Sequence, residues 1–210
     1  SEPPQRVEVS TASVAVRLPI TGGRDTAIRA AILRQLDRLQ GTPGRRGQLV
    51  LQFDATSDEY ASNCDFGRSL ELARFLTDAR MANVKTIAYL PDGAQGHAVL
   101  VALACEEIVM SPDALLGPVG PNKKRADDTV RAAYKDIAGR RRTVPPPLAL
   151  ALVDPSLRVV RVITEVGDQI VLSERVPALR EEVQVFQVED IGARPLVLSG
   201  RRCREIGVVQ

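Results

Sequence analysis

Aromatic residues are scarce in this chain of 210 residues: they make up 3% of it, and tryptophan is absent. Proteins that bind single-stranded nucleic acids commonly stack the bases on aromatic rings. A large excess of charge of one sign is lacking too, because 28 Lys and Arg residues stand against 26 Asp and Glu residues and leave a formal net charge of +2. Such a balance gives no positive field that would attract a polyanion. The sequence therefore predicts no nucleic-acid partner.

Histidine and cysteine are few as well. His97 is the only histidine, which excludes a metal held by two histidines of this chain. The three cysteines, Cys64, Cys105 and Cys203, show neither a CxxC motif nor the Cys/His spacing of zinc sites. We interpret them as packing residues, and we expect neither a metal nor a cofactor.

Long apolar runs are missing. The longest one, Ala98 to Cys105, is far shorter than the ~20 residues that a membrane-spanning helix needs. The first four residues, Ser-Glu-Pro-Pro, lack the basic start and apolar stretch of a signal peptide. We therefore expect no transmembrane helix here, and we expect any signal or anchor to have been removed or to lie outside this chain.

The apolar residues that are present, 44% of the chain, suffice for a full core and follow two periodicities. Strand-like segments alternate with segments in which apolar residues recur every three to four positions. Short connections between them imply parallel strands joined by right-handed crossovers, which predicts an α/β fold. The predicted strands are Val7–Ile20, Gln48–Asp54, Val84–Leu90 and Glu107–Met110, and the predicted helices are Ile28–Leu39, Phe66–Ala79, Gly96–Glu106 and Asp127–Ala138.

The last third of the chain follows a proline run, Pro145–Pro147, which indicates a break. Beyond it, Leu148–Val153 is apolar and Arg158–Ile170 is rich in β-branched residues, so both look packed, and a short helix follows Gly200. We expect a single domain with a core of residues 7–145 and a helical and β extension over residues 146–210.

The segment from Tyr89 to Pro121 is the most informative: it reads YLPDGAQGHAVLVALACEEIVMSPDALLGPVGP. Its strand, glycine-containing turn, buried helix, Ile-Val-Met strand and glycine-rich exit resemble the segment around the nucleophile in ClpP-class membrane serine proteases of the NfeD and SppA type. Two further stretches are similar to NfeD-type proteins: Ala149–Pro155 resembles their Ala-Met-Val-Asp-Pro stretch, and Leu198–Gly207 resembles their closing segment. The resemblance implies the ClpP/crotonase fold, a mostly parallel sheet built from ββα-type units with flanking helices.

The resemblance also implies where the family's catalytic groups would lie. Aligning the buried helix places the family's nucleophilic serine, which stands at a helix N-terminus, at Gly96, with His97 directly after it. The family's oxyanion loop carries two glycines where this chain has Ser57 and Asp58, and the lysine general base maps to Lys124.

These departures bear directly on the chemistry. In a Ser/Lys dyad a desolvated lysine accepts the proton of the serine, but Gly96 has no hydroxyl to give. A carboxylate at Asp58 would oppose the developing oxyanion. We therefore favour a catalytically inactive homologue that serves as a binding or scaffold domain. The resemblance further implies a homo-oligomer with a membrane-protein or peptide partner, on the extracytoplasmic side of a membrane.

Other interpretations remain open. A hydroxyl of Ser57 or Ser62, with Lys124 or His97 as the base, could restore hydrolysis. The backbone amides at Gly96 and His97 could instead bind an acyl carbonyl, as in crotonases, which would give an acyl-thioester binder. Against both stand plainer alternatives: a tight turn at Gly96, a structural histidine, and a solvated lysine in a basic loop.

Overall fold

The structure is a computed structural model that describes residues 10–39, 46–55, 61–120 and 125–209. Within these ranges the strands are β1 (Thr11–Arg17), β2 (Gly47–Asp54), β3 (Val84–Leu90), β4 (Gly93–Ala94), β5 (Glu107–Met110), β6 (Leu115–Leu116), β7 (Val159–Thr164), β8 (Gly167–Leu172), β9 (Val185–Asp190) and β10 (Leu198–Ser199). The α-helices are α1 (Arg24–Leu39), α2 (Phe66–Leu76), α3 (Ala98–Leu103), α4 (Asp128–Arg141), α5 (Pro146–Val153), α6 (Val176–Glu182) and α7 (Gly200–Glu205).

A parallel sheet in the order β1-β2-β3-β5 forms the centre of the fold. In β2, Leu49, Leu51 and Phe53 are fully buried, whereas Gln52 between them is exposed. This alternation is the one expected for a strand with one face against the core. Helix α1 packs on β1, and α3 lies between α2 and α4. The predicted α/β fold with a parallel sheet and flanking helices is confirmed.

Helix α3 is shorter than the predicted helix Gly96–Glu106, because it spans only Ala98–Leu103. All of its residues are buried, as the apolar run predicted. The helix ends early because its last turn tightens, with the Cys105 N–H donating to the Ala102 carbonyl at 3.1 Å. The Glu106 N–H then donates to the Thr86 carbonyl of β3 at 2.9 Å, which returns the chain to the sheet.

Prolines and caps set most of the other boundaries. Strand β1 stops at Arg17, two residues before Pro19, which has no N–H for a ladder. Helix α2 ends at Leu76, short of the predicted Ala79, and Asp78 then caps a 3-10 turn. The proline run is also a helix start: Pro146 is the first residue of α5, where a missing N–H costs nothing.

Two smaller sheets complete the described part of the chain. Strands β10, β6 and β4 form one, and the antiparallel strands β8, β7 and β9 form the other. The antiparallel sheet has its own apolar cluster, in which Val160 and Val162 of β7 pack with Leu179 of α6. No helix within the described ranges is long and apolar enough to cross a membrane.

The central sheet provides a test of the core. Replacement Leu51→Ala removes a fully buried side chain of β2, so we expect the free energy of unfolding to fall by about 2–5 kcal/mol. The matched control Gln52→Ala changes the exposed neighbour and is expected to cost less than about 0.5 kcal/mol. Urea denaturation followed by circular dichroism measures both, and equal losses would contradict the assignment of the two faces.

Candidate functional site

The turn that leads into α3 is held by its backbone conformation and by backbone hydrogen bonds. Gly96 has a φ of +57°, a left-handed conformation that glycine adopts without steric cost. Its N–H donates to the Pro118 carbonyl at 2.9 Å, and the Gly117 N–H donates to the Ala94 carbonyl at 2.8 Å. The amide of Gly96 is therefore already used within the protein and is not free to bind an oxyanion.

The backbone of the loop before α2 covers this turn. A Cβ atom built on Gly96 would lie 1.8 Å from the carbonyl oxygen of Ser62 and 2.9 Å from its carbonyl carbon. Both distances are far below van der Waals contact, and a backbone carbonyl cannot rotate away as a flexible side chain can. The space that any side chain at Gly96 would need is thus occupied by the chain itself.

That loop is held by two bonds to a single residue of the segment between β1 and α1. The Ile20 N–H donates to the sulfur of Cys64 at 3.2 Å, and the Asp65 N–H donates to the Ile20 carbonyl at 3.0 Å. The carboxylate of Asp65 in turn caps α2, because its Oδ1 accepts the Arg68 N–H at 2.9 Å. The loop that covers Gly96 is therefore anchored at its C-terminal end.

His97 is half-buried and lies between the rings of Phe66 and Tyr134. Its Nδ1 lies 3.3 Å from the hydroxyl of Tyr134, and the Phe66 ring lies 5.1 Å away, centroid to centroid. Burial lowers the pKa of His97, and the charge of Asp65 opposes this shift. Tyr134 is fully buried, and desolvation raises its pKa well above the ordinary value. At neutral pH a protonated Tyr134 can thus donate to a neutral imidazole.

The cysteines are buried, which agrees with their interpretation as packing residues. Desolvation raises the pKa of the Cys64 thiol, and it raises the pKa values of Cys105 and Cys203 to about 12. A thiolate is the nucleophilic form of cysteine. Cys64 lies beside the turn at Gly96 but is held as a neutral thiol.

The structure describes only part of the predicted site. Gly96 and His97 are adjacent at the start of α3, but Ser57, Asp58 and Lys124 lie outside the described residues. Ser62 does approach Gly96, although through its backbone carbonyl, while the residue as a whole is exposed. The alternative in which the Ser62 hydroxyl serves as the nucleophile therefore gains no support from this geometry.

Sequence reasoning missed the residues that enclose the turn. Tyr134 and Cys64 were not predicted as neighbours of His97 and Gly96, and only the apolar pattern around Tyr134 in α4 indicated that its ring is buried.

Asp154 is fully buried at the end of α5, where its Oδ1 accepts the Ser156 N–H and hydroxyl at 2.9 and 2.6 Å. The Arg131 Nε lies 3.3 Å from the other oxygen, an ion pair without hydrogen-bond geometry.

The similarity of this chain to known proteins lies in its three-dimensional structure. No protein-family model matches the chain, and no curated protein matches it. A solved structure described as the 1510-N membrane-bound stomatin-specific protease, a serine-to-alanine mutant, superposes with a TM-score of 0.58 at 11% identity, over 97% of this chain and 79% of that one. A lysine-to-alanine mutant of 1510-N in complex with a substrate peptide gives 0.53 at 12% identity, over 97% and 74%.

This chain has the ClpP-like fold. Because the sequence identity is low, the likeness shows the fold alone. At Gly96 of this chain, backbone atoms fill the place of a side chain, as they also do at Gly47, Gly93 and Gly200. Among the described residues, no group of three or more His, Cys, Asp or Glu side chains is arranged to hold a metal ion.

A serine can be restored to test the closed turn. For Gly96→Ser we expect a loss of about 1 kcal/mol from the left-handed φ and about 1–3 kcal/mol more from the clash with the Ser62 carbonyl. Gly22→Ser is a matched control, because Gly22 has the same φ of +57° but open space around it. Urea denaturation should show the larger loss for Gly96→Ser, and equal losses would refute the steric argument.

His97 can be titrated as a single signal, since it is the only histidine. Its pKa in the folded protein lies below the unfolded value of about 6.5, so the unfolded chain binds more protons between these two values. The contribution of His97 to stability is thus present above pH ~6.5 and lost as the pH falls through the folded pKa.

We expect NMR of the imidazole to give a pKa below that of the same protein in urea. Replacement Asp65→Asn should lower it further, because it removes a charge that favours the imidazolium but keeps a capping side chain. A folded pKa at or above the urea value would contradict the burial of His97.

Proposed function

We propose that this chain is a ClpP-like protease domain without peptidase activity, which acts as a binding or scaffold domain. The main observation behind this proposal is the close packing at Gly96: the carbonyl oxygen of Ser62 lies 1.8 Å from where the Cβ atom of any other residue would be. Acyl transfer needs a nucleophile beside free oxyanion donors. Here the position has no side-chain oxygen, and its N–H is bonded to Pro118.

Among the residues that the structure describes, the groups beside Gly96 supply no replacement nucleophile. His97, whose pKa is lowered by burial, faces the hydroxyl of Tyr134, and that hydroxyl is fully buried with a raised pKa. Cys64 is also buried as a neutral thiol. The bonded amide of Gly96 removes one of the two donors that an acyl-thioester binder would use at this turn, and the His97 N–H is the other.

The fold comparison also motivates a proposal about where this chain works and with which partners. The neighbours in that comparison are described as membrane-bound, and one was solved with a substrate peptide. We propose that this chain likewise works beside a membrane, on its extracytoplasmic side, as a homo-oligomer with a peptide or membrane-protein partner. Sedimentation equilibrium would give a mass above that of one chain, and a monomer at all concentrations would contradict the oligomer.

The absence of peptidase activity can be tested with a fluorophosphonate probe, which labels activated serines. We expect no labelling of the native chain and no cleavage of hydrophobic peptides by mass spectrometry, under conditions in which a known serine protease is labelled. Labelling that disappears on heat denaturation would overturn the proposal. The labelled residue, identified by peptide mapping, would then name the nucleophile.

A further inference from the structure

The central sheet β1-β2-β3-β5 is covered on one face only by the residues that the structure describes. On the covered face, Leu51 of β2 and Ala88 of β3 are fully buried. On the opposite face, here called the uncovered face, Gln52 of β2 is exposed and the neighbouring Tyr89 of β3 is 37% exposed. Purely parallel sheets normally have both faces covered. The described part of the chain therefore lacks a layer that this sheet needs.

The uncovered face is apolar at its centre. Val50, Ile87 and Val109 point to it, because side chains alternate between the two faces along a strand. All three are half-buried, and none of them belongs to an apolar core cluster of the described residues. Val50 lies beside Ile87 in the register of β2 and β3, and Tyr89 lies beside Val109 in the register of β3 and β5. These four side chains form one continuous apolar patch.

The charges on the strands of the uncovered face cancel. Lys85 of β3 and Glu107 of β5 form an ion pair, and Arg17 of β1 lies beside Asp54 of β2 in the register. Two cations and two carboxylates leave no net charge. Such a face does not repel a second copy of itself, and it does not attract a polyanion or an anionic membrane.

Large and small side chains lie on opposite sides of the uncovered face. Tyr89 and Val109 lie on β3 and β5, whereas Ala15 lies at the same level on the edge strand β1. A depression of about 320 Å³ adjoins Ala15, and Ala27 and Ala31 of α1 also line it. Two packed layers interdigitate best when large side chains face small ones. The uncovered face is therefore complementary to itself after a half-turn about an axis parallel to its strands.

We propose that the uncovered face binds a second copy of this chain in a two-fold symmetric dimer, an assignment that rests on the homo-oligomer proposed above and gives that oligomer its contact surface. An axis parallel to the strands, between β2 and β3, places β1 over β5 of the partner and β2 over β3 of the partner. Val50 then packs on Ile87 of the partner subunit, and Ala15 packs on Val109 of the partner subunit. The two sheets lie about 10 Å apart, as in a β-sandwich.

The area of the uncovered face sets the strength of this contact. Its four strands are up to eight residues long and about 4.8 Å apart, so they cover roughly 19 by 26 Å. Two copies bury about 1,000 Å² in total, which is at the lower end for specific complexes. We therefore expect a reversible dimer whose population rises with protein concentration.

Sedimentation velocity over a range of concentrations tests the pairing with two variants of the whole chain. Val50→Asp and Ile87→Lys each bury a charge against an apolar residue of the other copy, so we expect each alone to weaken the dimer at least tenfold. An equimolar mixture of the two variants should restore dimerisation. In the mixed dimer the two introduced charges face each other, and the second pair of Val50 with Ile87 is unchanged.

Val188→Asp is the matched control, because Val188 is an exposed valine of β9 in the antiparallel sheet. We expect it to leave the dimer unchanged. Circular dichroism shows whether each variant is folded, and Tyr89→Glu, at an exposed residue of the same patch, is a second variant that should also weaken the dimer at least tenfold.

The outcomes separate this surface from the oligomer itself. A native chain that is monomeric at every concentration would overturn both the dimer described here and the proposed homo-oligomer. A native dimer would keep the oligomer, but three results would each overturn the uncovered face as its contact surface: a dimer that the face variants leave intact, equal weakening by Val188→Asp, or a mixture of the two charge variants that stays monomeric. None of these results bears on the turn at Gly96.

Discussion

The burial of α3 on every side constrains everything around the candidate site. A helix without a polar face can only lie inside the protein, so its neighbours must satisfy the polar groups at its ends. At its start, the carbonyl of Pro118 accepts a hydrogen bond from the Gly96 N–H, and the hydroxyl of Tyr134 lies within hydrogen-bond distance of the His97 Nδ1. The same burial keeps the imidazole neutral, because a charged ring in this place would lose its hydration.

The turn at Gly96 has properties opposite to those that a serine nucleophile needs. Catalysis requires an open space, an activated oxygen and unbonded donors, and each of them costs stability in the free enzyme. Here the loop with Ser62 fills the space beside Gly96, and the Pro118 carbonyl accepts the Gly96 N–H. The two hydrogen bonds between that loop and Ile20 hold the loop in this position.

Much of the fold could be predicted from the sequence, because strand and helix periodicities are local signals. Strands β3 and β5 have the bounds that the pattern predicted, and the fold class followed from the resemblance of residues 89–121. The cover of Gly96 by Ser62 could not be predicted, since it depends on a bond between Ile20 and Cys64, 44 residues apart. No periodicity encodes such a contact.

The bond from Gly96 to Pro118 has an evolutionary consequence. If an ancestor of this chain carried a serine at position 96, the present arrangement makes the loss hard to reverse. A single codon change back to serine would meet the neighbouring loop and would still find the local amide engaged. A serine at position 96 would therefore also require changes in the loop that carries Ser62.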